Sequence, residues 1–212
     1  AYTLMVFLIS ILLGLSMGSG TVFSLQYGAG RMKALRRSIY VSAVLIGTVT
    51  IVLNIAALSF IHPILKLLQI PDDIYQMMYD YLWIIFWGIG FTFIYNFYAA
   101  LLRAIGNAVT PLYFLAISVV LNIGLDLFFI LLLDWGIKGA AIATIIAQGV
   151  SALGIMGYTY AKCPELRLHR NDLHFDRHCL KEITSFSTLT CIQQSVMNLG
   201  ILMVQGLVNS FG

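Results

Sequence analysis

Six stretches of this 212-residue chain carry no Asp, Glu, Lys or Arg: residues 1–30, 38–61, 81–102, 104–125, 139–161 and 183–212. A helix crossing a hydrocarbon core of about 30 Å needs about 20 residues, and each stretch supplies them. Their periodicity is not that of a barrel strand, because apolar and polar residues do not alternate. The composition agrees: 60% hydrophobic residues and 10% charged ones leave too little charge to cover a soluble domain. The expected fold class is therefore all-α, a polytopic transmembrane helix bundle with six spans, the last cut short by the chain end. The chain is expected to be a piece of a longer protein, since it enters an apolar segment without an initiator Met and stops inside another. The first segment lacks a basic n-region and is too long for a signal peptide.

Sorting the charges by loop gives the topology. Of twelve Lys and Arg, Arg31, Lys33, Arg36 and Arg37 follow span one. Arg103 follows span three. Lys162, Arg167, Arg170, Arg177 and Lys181 follow span five. Only Lys66 and Lys138 fall in the alternate loops, which hold Asp72, Asp73, Asp80 and Asp134 instead. By the positive-inside rule the loops at 28–37, 103–110 and 162–181 are cytoplasmic, and those at Pro71 and Asp134 external. The basic clusters are short and follow membrane spans, so no nucleic-acid partner is expected. Cys163 and Cys179 lie in a loop placed in a reducing compartment and Cys191 in a span, so no disulfide framework is expected. No Cys or His spacing suggests a metal. His62, His169, His174 and His178 fall in loops or at helix ends and are read as solvated.

The spans are expected at about 3–27, 38–61, 75–102, 111–133 and 139–161, with a sixth from 182. Gly14, Gly18 and Gly20 in span one suit close helix packing in lipid. Residues 64–70 read as a short amphipathic piece at the outer interface, and Pro71-Asp72-Asp73 as a helix start. Span three is rich in aromatics, among them Tyr95, which could line a cavity. The small residues from Gly139 to Thr144 open span five and suit tight packing on span four.

Asp126 stands alone in an otherwise uncharged stretch from Ala104 to Leu133. A carboxylate at membrane depth costs about 2.5–3.5 kcal/mol on insertion scales, so it marks function by default. Asn122 is four residues before it and so on the same helix face. Thr144 and Gln148 form a second such pair on span five. Asp126 lies eight residues before Asp134, and Thr144 six after Lys138. At 1.5 Å per residue both are about 10 Å below the connecting turn, so Asn122, Asp126, Thr144 and Gln148 are expected to form one cluster. A cluster that only glued two helices would explain Asn, Thr and Gln, but Asn would replace Asp without the charge penalty.

These residues resemble the multidrug and toxic compound extrusion (MATE) transporters of the DinF/NorM-like kind. The resemblance rests on Gln26-Tyr27-Gly28-Ala29-Gly30 with Lys33 and Arg36, and on Leu102-Arg103-Ala104-Ile105-Gly106-Asn107 with Pro111. It rests also on Asn122 with Asp126, followed by Gly136, Gly139-Ala140-Ala141 and Ala143-Thr144. It covers essentially the whole chain. It implies twelve helices in two pseudo-symmetric lobes. Residues 1–161 would hold helices two to six of the N-lobe, 162–181 the cytoplasmic interlobe loop and 182–212 the start of helix seven in the C-lobe. Gln193-Gln194-Ser195 with Asn198-Leu199 and Gly206 is similar to the start of helix one, as a repeat would be. The implied function is export of organic cations or other amphipathic drugs across the bacterial inner membrane in exchange for H⁺ or Na⁺. It needs no cofactor beyond that ion, and the full-length protein would act as a monomer in the lipid bilayer. Asn122, Asp126 and Thr144 match three members of the family's N-lobe cation or proton site, where Na⁺ or H⁺ would sit on Asp126. The fourth, an Asp on helix one, has no counterpart here. Gln148 and Tyr95 are candidates for the cavity lining.

The main rival is a lipid-linked saccharide flippase of the same superfamily. A phosphate-bearing substrate calls for Arg or Lys in the cavity, and none lies within a span except Arg103 at an inner end. A membrane-embedded enzyme would need a second catalytic group beside Asp126, and a channel would need a filter-like sequence.

Overall fold

The computed structural model describes residues 2–67, 72–168, 172 and 174–211. Pro71, residues 68–70, His169 and Arg170 of the sequence reading lie outside them. Among the described residues seven α-helices follow one another: α1 Tyr2–Gly28, α2 Met32–Ser59, α3 Ile61–Leu67, α4 Asp72–Ala104, α5 Val109–Leu127, α6 Gly136–Lys162 and α7 Arg177–Phe211. A π-helical turn, Phe128–Leu132, extends α5, and a 3₁₀ turn, Pro164–Leu166, follows α6. Among the described residues four helices are long and apolar enough to cross a membrane: Met32–Ser59, Ile74–Ala104, Val109–Leu132 and Gly136–Lys162. Six spans were expected; the other two fall in α1 and α7, parts of whose side chains lie outside the description.

Two turns at one end show why the helices stop where they do. Gly30 takes a φ of 69° and Gly106 one of 88°, a left-handed conformation that glycine adopts without steric penalty. Arg31 N–H then reaches Gln26 O and Asn107 N–H reaches Leu102 O, both at 2.9 Å, capping the last carbonyls of α1 and α4. Pro111 sits in the first turn of α5, where its missing N–H leaves no bond unmade, and Asn107 Oδ1 accepts from Thr110 N–H at 3.1 Å. Several threonine hydroxyls donate back to the carbonyl four residues earlier, as Thr50 does to Ile46 O at 2.7 Å and Thr159 to Ile155 O at 2.8 Å. In an apolar medium this satisfies those groups locally.

The bundle is ordered by two wide contacts, α1 against α7 and α4 against α6, with α1 also against α4 and α5 against α6. Leu12, Phe23, Leu35, Ile46, Phe86, Leu101, Leu102 and Ile155 are fully shielded in the core. The small residues of α1 serve two different neighbours. A Cβ on Gly14 would meet Cys191 of α7, and one on Gly18 would meet Ser187 of α7, whereas Gly20 faces Ala100 of α4. The small residues that open α6 lie close to the end of α5, where a Cβ on Gly139 would stand 2.9 Å from Phe129 Cβ. α6 as a whole packs widely on α4 too, and Ala141, Ala143, Ala147 and Ala152 are buried.

Three further details depart from the sequence reading. α2 begins at Met32, six residues before the expected 38, because Met32, Leu35 and Ile39 give its first turns an apolar stripe. The described parts of the linker at 162–181 are docked: Arg36 Nε pairs with Asp172 Oδ2 at 2.9 Å and Arg36 Nη1 donates to Glu165 O at 3.4 Å. Within it Cys163, Leu166 and Cys179 are buried. His62 is not simply solvated. Its ring stacks on Tyr79 with centroids 4.8 Å apart, and Nδ1 lies 2.8 Å from Tyr75 Oη.

Candidate functional site

The antiparallel pair α5 and α6 carries the candidate residues. The turn between them is short because α5 ends in the wide Phe128–Leu132 turn and α6 begins at once at Gly136. That brings Asn122 and Thr144 to the same depth, and Asn122 Nδ2 donates to Thr144 Oγ1 at 3.4 Å. The bond is long and therefore weak. Thr144 Oγ1 in turn donates to Ala140 O at 2.9 Å. Both side chains thus keep acceptor oxygens: the Asn122 carbonyl and a lone pair on the Thr144 hydroxyl.

Asp126 lies one helical turn from Asn122 on α5. Its Oδ1 is shielded from solvent and makes no hydrogen bond. A buried carboxylate oxygen without a donor is costly, by about 1–3 kcal/mol or more for a charged group. Such an oxygen is free to accept a further hydrogen bond or to bind a cation. The chemistry available at this place is one carboxylate with neutral oxygens nearby, a donor set that suits H⁺ or a hard monovalent ion.

Gln148 does not join this group. It turns to α4, where Thr92 Oγ1 donates to Gln148 Oε1 at 3.1 Å. Tyr95 is separate again: its hydroxyl donates to Pro111 O at 2.9 Å and ties α4 to the start of α5. The four residues expected in one cluster are therefore divided between the two neighbours of α6. Asn122 and Thr144 are joined, Asp126 is adjacent to them along α5, and Gln148 belongs to an α4 group.

That α4 group was not anticipated. Thr92 also accepts, through its carbonyl, from Asn96 Nδ2 at 2.8 Å. The signal was present, since Thr92 and Asn96 are four apart and share a face. Asn54 of α2 donates likewise to Phe86 O of α4, a polar tie inside an apolar interface that no motif announces.

The protein-family model described as MatE matches residues 1–128. The probable multidrug resistance protein YpnP of Bacillus subtilis is 32% identical over 99% of this chain and 47% of its own length. The probable multidrug resistance protein NorM of Thermotoga maritima is 30% identical over 91% of this chain and 42% of its own length. An inward-facing structure of a multidrug resistance MATE family transporter of the MOP superfamily superposes with a TM-score of 0.84 at 22% identity. It covers 90% of this chain and 44% of that one, a likeness of fold. The chain spans about half the length of the curated relatives it matches.

Proposed function

Because this chain belongs to the MatE family, we propose that it is one half of a secondary transporter that exports organic cations or other amphipathic drugs in exchange for H⁺ or Na⁺. Family members are transporters, not enzymes, and the chain is a multi-pass membrane protein. In this reading α1 to α6 correspond to N-lobe helices two to six, α3 being a short surface piece. Residues 162–181 link the lobes, and α7 opens the C-lobe. The Arg31, Arg103 and Lys162 ends face the cytoplasm of a bacterial cell. The full-length protein works as a monomer in the bilayer.

One observation carries the reading: the shielded, unpartnered Oδ1 of Asp126 beside the Asn122–Thr144 pair. Facing outward, the empty carboxylate takes up H⁺ or Na⁺. Asn122 and Thr144 supply neutral oxygens to the same charge. Loading neutralises Asp126, lowers the cost of burying it and permits the helices to rearrange and release the drug. Rocking of the lobes then exposes the cavity to the other side. Gln148 and Tyr95, tied to Thr92 and to Pro111, support this as wall residues more than as ion ligands.

The test uses the full-length parent in inverted membrane vesicles, with and without Asp126→Asn. Efflux of a fluorescent organic cation is followed under an imposed pH gradient and then under a Na⁺ gradient. Efflux that depends on one gradient and on Asp126 is the expected result and names the ion. Intact protein with no efflux under either gradient refutes it and favours the lipid-linked saccharide flippase.

A further inference from the structure

Asp126 sits two residues before a change in helical winding. At Phe128 α5 gives way to the π-helical turn Phe128–Leu132, which holds one residue more than an α-turn. Leu133 N–H reaches Phe128 O at 3.3 Å and Trp135 N–H reaches Phe129 O at 3.0 Å. This corner is pinned to α6. Phe129 is buried, and its ring stacks on Trp135 with centroids 5.1 Å apart and planes 2° from parallel. α6 admits both because Gly139 has no side chain. A Cβ there would stand 2.9 Å from Phe129 Cβ and 3.1 Å from Trp135 Cβ. The chain leaves the corner through Asp134 at a φ of 53°, a left-handed conformation that Asp tolerates better than most residues.

On the other side of the turn α5 is held at its far end. Tyr95 Oη donates to Pro111 O, Ser151 Oγ to Phe114 O at 2.9 Å, and the Phe114 ring packs against Gly154 and Tyr158 of α6. Between Phe114 and the turn, the described side-chain bond from α5 to a neighbour is the long Asn122–Thr144 one. A wide turn beside a fixed corner is where a helix bends. Asp126 stands on the α5 rod just before the bend, with Oδ1 facing no donor.

We propose that the Phe128–Leu132 turn is the hinge of α5, with Phe129 as the positioning residue that fixes its pivot, and that loading Asp126 swings the inner part of α5 about it. This rests on the reading that Asp126 carries the coupling ion. An empty, charged carboxylate is stabilised by water, whereas a neutralised one is free to settle against α6. Rewinding the turn as α-helix would rotate the rod by about 100° and shift it by about 1.5 Å, the geometry of one residue. A bend short of that still displaces a probe on the rod by an amount on the order of 5 Å, the radius of a helix.

The experiment uses the full-length parent with Cys163, Cys179 and Cys191 replaced by Ser. Spin labels are placed at Ile117→Cys on α5 and Ile51→Cys on α2, both exposed positions, and their distance is read by pulsed electron resonance alongside vesicle efflux. Asp126→Asn, which mimics the loaded carboxylate, is expected to shift the distance distribution. Deleting Leu131, an exposed residue of the turn, is expected to remove both that shift and transport. Phe129→Leu should keep more of the shift than Phe129→Ala. If Asp126→Asn abolishes transport while the distance stays fixed, the hinge is wrong and the ion reading stands. If Asp126→Asn transports normally, the ion reading fails and the hinge with it. Should the deletion variant not fold, the Asp126→Asn distance alone decides.

Discussion

Replacing Gly18 by Ala should destabilise the bundle by about 2 kcal/mol, even though alanine is the better helix former. Gly18 lies where α1 meets α7, among the widest contacts in the molecule. A Cβ there would stand 2.4 Å from Ser187 Cα, 2.5 Å from Ser187 N and 2.8 Å from Phe186 C. Relaxed carbon contacts are about 3.5–4.0 Å, so α1 and α7 would have to part by about 1 Å. The obstacle is backbone, so no rotamer change removes it. Overpacking costs about 1–3 kcal/mol, and a rigid obstacle puts this site at the upper end. The gain in helix propensity returns up to about 1 kcal/mol. The separation would also stretch the ties between the helices, Ser187 Oγ to Leu15 O at 3.3 Å and Cys191 Sγ to Ile11 O at 3.6 Å. Gly157 of α6 is the matched control, because a Cβ there meets nothing within 4 Å. The assay is unfolding of the full-length variants in detergent micelles. Gly18→Ala is expected below wild type and Gly157→Ala at or above it. Equal stability of the two variants would refute the reasoning from close approach.

Other consequences can be measured on the same protein. Arg36→Gln removes a partly buried ion pair to Asp172 and a bond to Glu165 O, which should cost about 1–3 kcal/mol. Trypsin should then cut faster at Arg167 and Arg177, and an unchanged rate would contradict the docked linker. Lys138→Gln breaks the pair to Asp80 at 2.8 Å, but Lys138 is 59% exposed, so stability should change by less than about 1 kcal/mol. A larger loss in the same unfolding assay would show that this pair is more than a surface contact. Burial raises the Cys179 thiol above its ordinary 9.0, and burial with the Glu165 charge raises that of Cys163. The fold favours the neutral thiols, so their contribution to stability is present below pH 9 and lost as pH rises through the raised values. In a Cys191→Ser background, maleimide labelling should be slow at pH 7 and accelerate only at high pH. Labelling at pH 7 as fast as in denaturant would refute this.

The bundle was legible in the sequence because membrane burial forbids charge, and the gaps between charges at Arg31–Arg37, Asp72–Asp80, Arg103, Asp134–Lys138 and Lys162–Glu182 mark the helix ends. Asn122 and Thr144 could be paired because both lie a countable distance from one short turn. Gln148 could not be placed the same way. Its four-residue spacing from Thr144 fixes a stripe on α6, but α6 touches two helices, and Thr92 on α4 offers the better partner. The π-helical turn was also hidden. Phe128–Leu132 is as apolar as the helix before it, and its winding depends on the Phe129–Trp135 stack and the gap at Gly139. Arg36 illustrates the same limit: the charge count puts it at a helix end, but its partner Asp172 is 136 residues away.

If Asp126 holds the coupling ion, binding of substrate should displace that ion. Purified full-length protein in detergent would be titrated with an organic cation while H⁺ release is followed with a pH dye and Na⁺ release with an ion-selective probe. Release of one of these ions is expected, reduced by one equivalent in Asp126→Asn. Undiminished release from folded Asp126→Asn protein would contradict it.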